Sequence, residues 1–424
     1  MLPPDATPRR GATIFIFVLV TIDMISIGII APVLPKLITS FLGGNIANAA
    51  VYQGAFTTVW ALGQFFCSPL LGMLSDKVGR RPVILISCFV TAIDFAIMAL
   101  APNLWWLFAG RMLSGVATAN LSTAYAYIAD VNSPENRAKA YGLLSSAFGI
   151  GFVLGPAIGG LAGNVDARLP FWIAAGFSLV NWLYGFFVLP ESLKPEHRTA
   201  KVDWKRANPL GSLKMLLRHR ELYGLSTVNF IVLVAHDALP NLWVLYLMAQ
   251  FGWDQRSIGL SLALVGVCSA ITASTLVGPA VKRFGERRTL VMGLCVYVIG
   301  YVMFGINNGY VFLAAIVVAC LSIYNSPMQS LMTKRVGPQE QGELQGALGA
   351  VRGVAALIGP FLFTLMFYQF AGPWRSYNLL GAPFYFAAAL GVIGLAIAIR
   401  VTNREDDVVL PLPEPVPVTV IEGG

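Results

Sequence analysis

Six ionisable residues lie inside long apolar stretches of this sequence, where charged side chains are uncommon. A charge surrounded by hydrocarbon costs on the order of several kcal/mol, so such a residue usually faces a water-filled cavity or an opposite charge. Carboxylate, imidazole and guanidinium groups in this setting are suited to binding a proton or a charged ligand. The six residues are Asp23, Asp94, Arg111, His236, Asp237 and Arg352.

Each of these residues also has a structural alternative. Asp23 or Asp94 could form an ion pair with Arg111, and His236 could be a packed imidazole with a satisfied hydrogen bond. Gln64, a polar residue deep in another apolar stretch, could bond a neighbouring helix or contact a ligand.

Residue types needed for covalent chemistry do not cluster. The three histidines are scattered, the five cysteines lie in apolar stretches without Cys-x-x-Cys spacing, and there is no glycine-rich nucleotide loop. We therefore predict no metal, no cofactor and no enzymatic activity. A membrane-embedded enzyme or sensor is the alternative that this pattern disfavours.

Composition predicts an integral membrane protein. Apolar residues make up 56% of the chain and charged residues 12%, about half the charge of an ordinary soluble domain. Apolar stretches of about 20 residues, the length that crosses a bilayer, recur along the chain. We number them as spans 1 to 12, at residues 13–38, 49–73, 82–101, 104–130, 138–162, 168–190, 222–250, 256–281, 288–307, 309–334, 342–370 and 377–400.

The distribution of basic residues predicts the orientation. Twelve spans place both termini on one side of the membrane. Of the 29 basic residues, 23 fall on that side, Arg111 and Arg352 lie within spans, and four fall opposite: Lys36, Arg168, Arg256 and Arg375. By the positive-inside rule, both termini are predicted to be cytoplasmic.

The two halves of the chain repeat each other. Three segments recur at a nearly constant offset of 204 to 206 residues: Pro134, Gly142 and Gly155-Pro156 as Pro338, Gly346 and Gly359-Pro360; Gly72 and Gly79 as Gly278 and Gly285; and Pro35 as Pro240. A duplication of this kind predicts an all-α membrane protein with two pseudo-symmetric six-helix bundles and a binding site between them, near the bilayer midplane.

The predicted domains follow from this repeat. Residues 13–190 and 222–401 are the bundles, and residues 1–12 and 402–424 are cytoplasmic tails, the second predicted to be disordered. Residues 191–221 form a linker rich in lysine and arginine, which favours contact with anionic lipid head groups over nucleic-acid binding.

A short basic segment separates spans 2 and 3. Its pattern, with Gly72, Asp76, Gly79, Arg80 and Arg81, resembles the G-x-L-x-D-x-x-G-R-R signature of the major facilitator superfamily. Gly72 would permit close helix approach, Gly79 a tight turn, and Asp76 would accept hydrogen bonds at a helix N-terminus. Arg80 and Arg81 could reach Asp130. A plain basic turn is the alternative, and the counterpart from Gly278 to Arg288 is degenerate.

Span 5 carries a glycine-rich pattern around a proline. Its residues, Gly151, Gly155, Pro156, Gly159 and Gly160, would give a smooth helix face that packs closely, bent at the proline. In the superfamily that the chain resembles, this pattern marks antiporters. A generic small-residue packing face is the alternative.

The depths of the six charges converge. With a rise of about 1.5 Å per residue, all six fall ~15 to ~22 Å from the predicted cytoplasmic face. Five spans supply them, so we expect them to share one central cavity. A solute and a proton that compete for such a charge network would influence each other's binding.

Several longer segments resemble the tetracycline-efflux family. They include TIDMISIGIIAPVLP at 21–35, AIDFAIMALAPNLWWLFAGR at 92–111 and LPESL at 189–193. The resemblance covers nearly all of residues 13–400. It implies that Asp23, Gln64, Asp94 and Arg111 occupy positions tied to substrate handling and proton coupling.

Two departures from that family bear on the substrate. Its tetracycline exporters place a histidine in span 8 and an aspartate in span 9, where this chain has Ser269 and Tyr297. Arg352 instead resembles an arginine of the eukaryotic hippocampus-abundant-transcript transporters. The substrate therefore stays open between tetracycline and another small organic molecule, such as an anion.

The resemblance implies a proton-coupled antiporter that exports a small organic molecule or drug by alternating access. Asp23, Asp94 and Arg111 would couple protons, and Gln64, His236, Asp237 and Arg352 would bind substrate. Proton-linked uptake in the same fold is the alternative. The expected partners are substrate, protons and membrane lipids, with no nucleic acid. The expected setting is a monomer in a bacterial cytoplasmic (inner) membrane.

Overall fold

The structure, a computed structural model, describes residues 10–118, 121–198, 216, 220–337 and 340–403, and all regular elements within these ranges are helical. Spans 1 to 6 of the N-terminal half consist of the following helices: Arg10–Ile30 and Leu34–Phe41 in span 1, Ile46–Val78 in span 2, Arg80–Leu100 in span 3, Leu104–Ala117 and Leu121–Val131 in span 4, Pro134–Val165 in span 5 and Leu169–Val188 in span 6.

The C-terminal half repeats this arrangement. Its helices are Arg220–His236 and Ala238–Phe251 in span 7, Gln255–Thr275 in span 8, Val277–Gly305 in span 9, Gly309–Cys320 and Asn325–Thr333 in span 10, Gln341–Ala371 in span 11 and Ala382–Thr402 in span 12. Among the described residues, eleven helical segments are long and apolar enough to cross a bilayer. The two helices of span 4 flank residues 119–120, which lie outside the described ranges, and they complete the twelve predicted spans.

Two glycines mark the repeat in the backbone. Gly79 (φ 109°, ψ 160°) separates spans 2 and 3, and Gly285 (φ 76°, ψ 166°) interrupts the helix that leads into span 9. A side chain would be strained at these positive φ values, and glycine is not. The predicted turn at Gly79 is confirmed. Residues 72–78, which we expected in a loop, are instead the last turns of the span 2 helix, because one glycine is enough to reverse the chain.

These turns define the two faces of the molecule. We call the side with the Gly79 and Gly285 turns the basic face, and the side with residues 42–45, 101–103 and 252–254 the opposite face. Near the opposite face the halves touch closely. A Cβ built on Gly160 of span 5 lies 2.7 Å from Gly259 Cα of span 8, and one built on Gly54 of span 2 lies 3.1 Å from Thr364 Cβ of span 11.

Near the basic face the halves are apart. A Cβ built on Gly142 or Gly149 of span 5, or on Gly342 or Gly349 of span 11, would meet no atom within 4 Å. Spans 2 and 11 and spans 5 and 8 therefore converge from mid-span toward the opposite face. The space between the halves opens toward the basic face.

Several boundaries differ from the predicted ones. The first helix begins at Arg10 rather than 13, and the last ends at Thr402 rather than 400. Residues 1–9, Pro338, most of the linker (199–215 and 217–219) and the tail from 404 lie outside the described residues.

Candidate functional site

A cavity of about 920 Å³ lies between the halves, a volume suited to a drug-sized molecule. Spans 2 and 4 line one side, and spans 7, 10 and 11 line the other. Four predicted substrate residues line it together: Gln64, His236, Asp237 and Arg352.

The other three predicted charges do not line this cavity. Asp23 and Asp94 are buried within the N-terminal half, with 5% and 0% of their surface exposed, and Arg111 is half-buried near Asp94. The expectation of one shared cavity was wrong for these three residues. Depth along a span fixes a residue's height, but the rotation of the helix decides whether it faces the cavity or the bundle.

His236 and Asp237 stand at an interruption of span 7. The first helix of the span ends at His236 and the next begins at Ala238. Interrupted helices are tolerated at membrane depth where they line a cavity, because water or neighbouring groups can satisfy the freed backbone. The Asp237 carboxylate packs on Gly359 of span 11, where an added Cβ would lie 2.8 Å from Asp237 Cγ. This contact explains the glycine of the repeated Gly-Pro pair in the second half.

The His236 ring is exposed to the cavity and has a partner. Its Nδ1 lies 3.4 Å from the Tyr301 hydroxyl, which is also 3.4 Å from the His236 carbonyl oxygen. Both distances are long for hydrogen bonds. The alternative of a partnered structural imidazole is therefore compatible with a residue that also faces the cavity.

Two positions hold neutral residues in this chain where the tetracycline exporters of the family that it resembles carry histidine and aspartate. Ser269 lies 3.4 Å from Cys320 Sγ, in a separate cleft between spans 8 and 10. Tyr297 is buried and stacked on Tyr301, with ring centroids 4.3 Å apart. Its hydroxyl makes no hydrogen bond to the described residues. Asp237 is the acidic side chain that interacts electrostatically with both tyrosines.

Asp94 and Arg111 are neighbours without a direct ion pair. They interact electrostatically across spans 3 and 4, yet no ion pair joins them. Both Asp94 carboxylate oxygens are buried and form no hydrogen bond of good geometry, although the Ser114 hydroxyl is near enough to interact with them. Arg111 Nη2 contacts Met98 Sδ at 3.6 Å and Ser114 Oγ at 3.4 Å. A buried carboxylate without a well-formed hydrogen bond or ion pair is costly to keep ionised, so this pair is a candidate protonation site.

A row of polar groups connects this pair to the cavity. Gln64 Nε2, on the cavity wall, donates to Thr118 Oγ1 at 3.0 Å, and Thr118 Oγ1 donates to the Ser114 carbonyl oxygen at 2.7 Å. Ser114 in turn contacts Arg111. The helix–helix hydrogen bond considered for Gln64 is therefore present, and contact with a solute stays a prediction for a residue that also lines the cavity. Ser114 and Thr118, three and seven residues after Arg111, form a polar stripe at helical spacing that the sequence analysis missed.

Asp23 faces a different set of groups. It lies near Cys88 of span 3, whose Sγ accepts from Asn181 Nδ2 of span 6 at 3.7 Å. Asp23 forms no ion pair with Arg111. It therefore belongs to the contact of spans 1, 3 and 6, apart from the Asp94 pair.

The turn between spans 2 and 3, which carries the superfamily-like signature, is the centre of an ionic network on the basic face. Arg80 Nε donates to Asp130 Oδ2 at 3.1 Å, Arg80 Nη1 donates to Ser75 Oγ at 2.7 Å, and Arg80 also pairs with Asp76. Arg81 does not reach Asp130; it donates to the Phe186 carbonyl oxygen at 2.6 Å. The predicted contact with Asp130 is thus correct for Arg80 and wrong for Arg81.

Glu191, rather than Asp76, caps the span 3 helix. Its carboxylate accepts from the backbone N–H groups of Arg80 at 2.9 Å and Arg81 at 3.3 Å. Asp76 lies on the preceding helix, where it pairs with Arg80 and accepts from neither of these N–H groups. Its predicted capping role was therefore wrong. Gly72 was also expected at a close helix contact, but a Cβ there would lie 3.9 Å from Ser122 Oγ, an ordinary distance.

The second half contains the same network with inverted charges. Glu286, at the position of Arg80, accepts from Lys334 Nζ at 2.8 Å and from Ser330 Oγ at 2.6 Å. Lys334 follows Asp130 by 204 residues, the offset of the repeat. The second-half segment from Gly278 to Arg288, which we considered degenerate, therefore keeps an ion pair, because both partners have changed the sign of their charge. The repeat offset was the signal that could have identified Lys334 as the partner.

The glycine pattern of span 5 serves two contacts. Gly151, Gly155 and Gly159 pack on span 1, where a Cβ at Gly155 would lie 2.6 Å from Gly28 Cα. Gly160 packs on Gly259 of span 8 in the other half. The close-packing interpretation is confirmed, and one of the glycines lies at the contact between halves.

Comparison with known families identifies the chain. The model of the Major Facilitator Superfamily matches residues 16–239 and again residues 225–421. The chain belongs to the major facilitator superfamily. The two matches correspond to the two halves, so this facilitator is a multi-pass membrane transporter built by duplication.

Curated relatives refine the placement of this facilitator. It is 37% identical to the class C tetracycline resistance protein of Escherichia coli and 34% identical to the class G protein of Vibrio anguillarum, in each case over 89% of this chain and 95% of the relative. It is also 28% identical to human hippocampus abundant transcript-like protein 1, over 82% of this chain and 72% of that protein.

Solved structures confirm the facilitator fold. A bacterial homologue of the human lysosomal transporter Spinster aligns with a TM-score of 0.75 at 16% identity, over 96% of this chain and 99% of that one. The human organic anion transporter MFSD10 aligns with a TM-score of 0.67 at 21% identity, over 92% and 99%.

Proposed function

We propose that this protein exports a small organic molecule in exchange for protons. The observation that carries this proposal is a drug-sized cavity, open toward one face and closed at the other, beside a buried acid that forms no ion pair. The tetracycline resistance proteins among its relatives support export as the direction of transport.

Protons bind at the Asp94 and Arg111 pair in this proposal. The row through Ser114, Thr118 and Gln64 gives the pair a polar connection to the cavity. A change in the protonation of Asp94 alters the charge beside Arg111, and this change reaches the cavity through side chains that hydrogen-bond in series. Asp23, in a separate buried position, is the second candidate for protonation.

Substrate binds against both halves. Gln64 provides an amide from the N-terminal half, while His236, Asp237 and Arg352 provide charge and hydrogen bonds from the C-terminal half. Because the ligand contacts both halves, its binding can favour the rocking motion that closes the open side, which is the basis of alternating access.

Two sets of contacts control this motion. The closed side depends on the glycine contacts of spans 5 and 8 and of spans 2 and 11. On the basic face, the network of Asp76, Arg80 and Asp130 and its inverted counterpart at Glu286 hold helix ends within each half. We propose that Gly72, Gly79 and Arg81 support the same network.

The basic face is cytoplasmic in this proposal, because the positive-inside rule places most basic residues there. The structure then corresponds to the inward-open state, in which substrate enters from the cytoplasm. We place the protein in the cytoplasmic membrane of a bacterium, functional as a monomer.

The experiment uses the purified protein in proteoliposomes with an imposed pH gradient. Tetracycline and a panel of aryl carboxylates are tested for movement against the proton flow, with internal pH followed by a trapped dye. Antiport moves solute up its gradient into the proton-rich compartment. Proton-linked uptake, the alternative function, moves solute in the same direction as protons. Movement independent of the gradient would contradict both.

A further inference from the structure

The central cavity continues into a polar recess near the basic face. The recess has a volume of about 370 Å³, and its polar lining consists of Tyr125, Asn229, Asn325, Gln329, Gln345 and Arg352. None of the described residues that line it is acidic. Arg352 also lines the central cavity, so its guanidinium stands where the two spaces meet.

Arg352 has no partner within the described part of the chain. It is exposed and forms no hydrogen bond or ion pair there, and its electrostatic neighbours are His236 and Tyr324, neither of which is an acid. A guanidinium that faces an open cavity without a partner is free to bind a ligand. Its planar set of donors matches a carboxylate in a bidentate geometry.

Asp237, the acid that lines the same cavity, does not neutralise Arg352. Its carboxylate packs on Gly359, seven residues further along span 11, or about 10 Å at 1.5 Å per residue. The surroundings of Arg352 are instead a phenol and four amides, which carry no charge to neutralise the guanidinium and which can donate to an anion.

The wall beyond Arg352 is aromatic and smooth. Trp60 and Phe65 of span 2 face the cavity across from Tyr324, and Gly353 of span 11 packs against the Phe65 ring. Aromatic side chains next to small residues favour a flat apolar group. The cavity thus combines a flat apolar compartment with a cationic, amide-lined end.

We propose that the substrate is an amphipathic organic anion, with its carboxylate on Arg352 in the polar recess and its aromatic body between Trp60 and Tyr324. This inference rests on the proposed function for the site but concerns the charge of the ligand. It assigns Arg352 the recognition of that charge and the amides of the recess the remaining hydrogen bonds.

The test compares matched ligands in equilibrium binding. Five aryl carboxylates, 1-naphthylacetate among them, are each paired with their own carboxamide, and affinities for the full-length protein are measured by calorimetry without a pH gradient. We expect at least one carboxylate to bind about 10-fold more tightly than its amide. In Arg352→Gln this preference should disappear while amide affinity stays, which also shows that the variant is folded.

Two further variants sharpen the result. Arg352→Lys should keep only part of the preference, because an ammonium lacks the bidentate geometry. Lys282→Gln, which removes an exposed cation on the basic face, should keep all of it. The inference is overturned if no pair shows a preference or if Arg352→Gln retains it.

The outcome is separate from that of the transport experiment. Proton-driven transport together with equal binding of acids and amides would leave the proposed function standing and remove the anion assignment. An Arg352-dependent preference without proton-driven movement would do the reverse.

Discussion

Asp94 is the residue whose chemistry most directly distinguishes proton coupling from passive transport. Its carboxylate is buried beside the Ser114 hydroxyl, and Arg111, the cation that acts on it electrostatically, forms no ion pair with it. Structural ion pairs in membranes usually have direct contacts that offset the cost of burial. An acid held near a cation but not bonded to it is better suited to changing its charge.

Asp94→Asn should uncouple transport from protons. Since an amide cannot exchange a proton, transport against a gradient should fall at least ~10-fold, while solute exchange without a pH gradient stays within about 2-fold of wild type. Both are measured in proteoliposomes. The idea is lost if Asp94→Asn still concentrates solute at the wild-type rate.

Asp254→Asn is the matched control for this experiment. Asp254 caps span 8 on the opposite face, and hydrogen bonds from Ser257 hold its pKa below the ordinary value. It therefore stays ionised as the pH falls from about 8 to about 5.5 and releases or binds no proton over that range. Asparagine is also a good helix cap, so transport and its pH dependence should not change.

Gly359 tests whether the position of Asp237 depends on close packing. In Gly359→Ala the new methyl group would overlap the Asp237 carboxylate, which should lower the free energy of unfolding by about 1–3 kcal/mol. Gly349→Ala, on the same helix and facing open space, should be neutral or slightly stabilising because alanine favours helix. Denaturant unfolding in detergent measures both. Equal stability of the two variants would contradict the packing seen here.

At the scale of elements, the two basic-face networks show how a repeat can diverge and still be compensated. Arg80 and Asp130 join spans 3 and 4, and Glu286 and Lys334 join spans 9 and 10 with reversed charges. Opposite charges attract in either order, so a duplicated pair can invert if both partners change. The first-half pair has acquired further contacts with Asp76 and Ser192, which tie its order to the surroundings.

Charge reversal should therefore be tolerated in one half only. Glu286→Lys or Lys334→Glu alone should slow transport by about 2- to 5-fold, the range of a half-exposed ion pair worth up to about 1 kcal/mol. The double swap should recover most of the rate. Swapping Arg80 and Asp130 should not, since Asp76 would then face an aspartate at position 80 instead of its cation. A double-mutant cycle on transport rates measures the coupling, and additive effects at 286 and 334 would argue against it.

At the scale of the whole molecule, the halves touch near the opposite face and part near the basic face. Glycine makes this closure possible, because helices approach to backbone distance only where no side chain intervenes. Gly54 against Thr364, Gly160 against Gly259 and Gly266 against Val153 are places where this occurs between halves. Transport requires these contacts to separate.

A disulfide between positions 54 and 364 should lock the closed side. The Cβ built on Gly54 is 3.1 Å from Thr364 Cβ, close to the roughly 3.8 Å of a disulfide. In a background without the five native cysteines, oxidation of Gly54→Cys with Thr364→Cys should reduce transport at least ~10-fold, and a reductant should restore it. The single-cysteine variants serve as controls. Full transport in the oxidised double variant would show that this contact never opens.

The sequence by itself determined the number of spans, the duplication and the candidate functional residues. These depend on composition and periodicity, which hydrocarbon selects directly: long apolar runs must be helices, and each charge within them must have a reason. The repeat offset also indicated Lys334 as the partner of Glu286, although this was evident only once the structure showed the ion pair between spans 9 and 10.

Only the tertiary structure decided which candidate residues lie together in one site. Helix rotation separated Asp23, Asp94 and Arg111 from the cavity and left Gln64, His236, Asp237 and Arg352 on its wall. It also gave the span 3 cap to Glu191, more than a hundred residues away in the chain. Such contacts depend on how two helices are turned and spaced relative to each other, and no local pattern of residues specifies that.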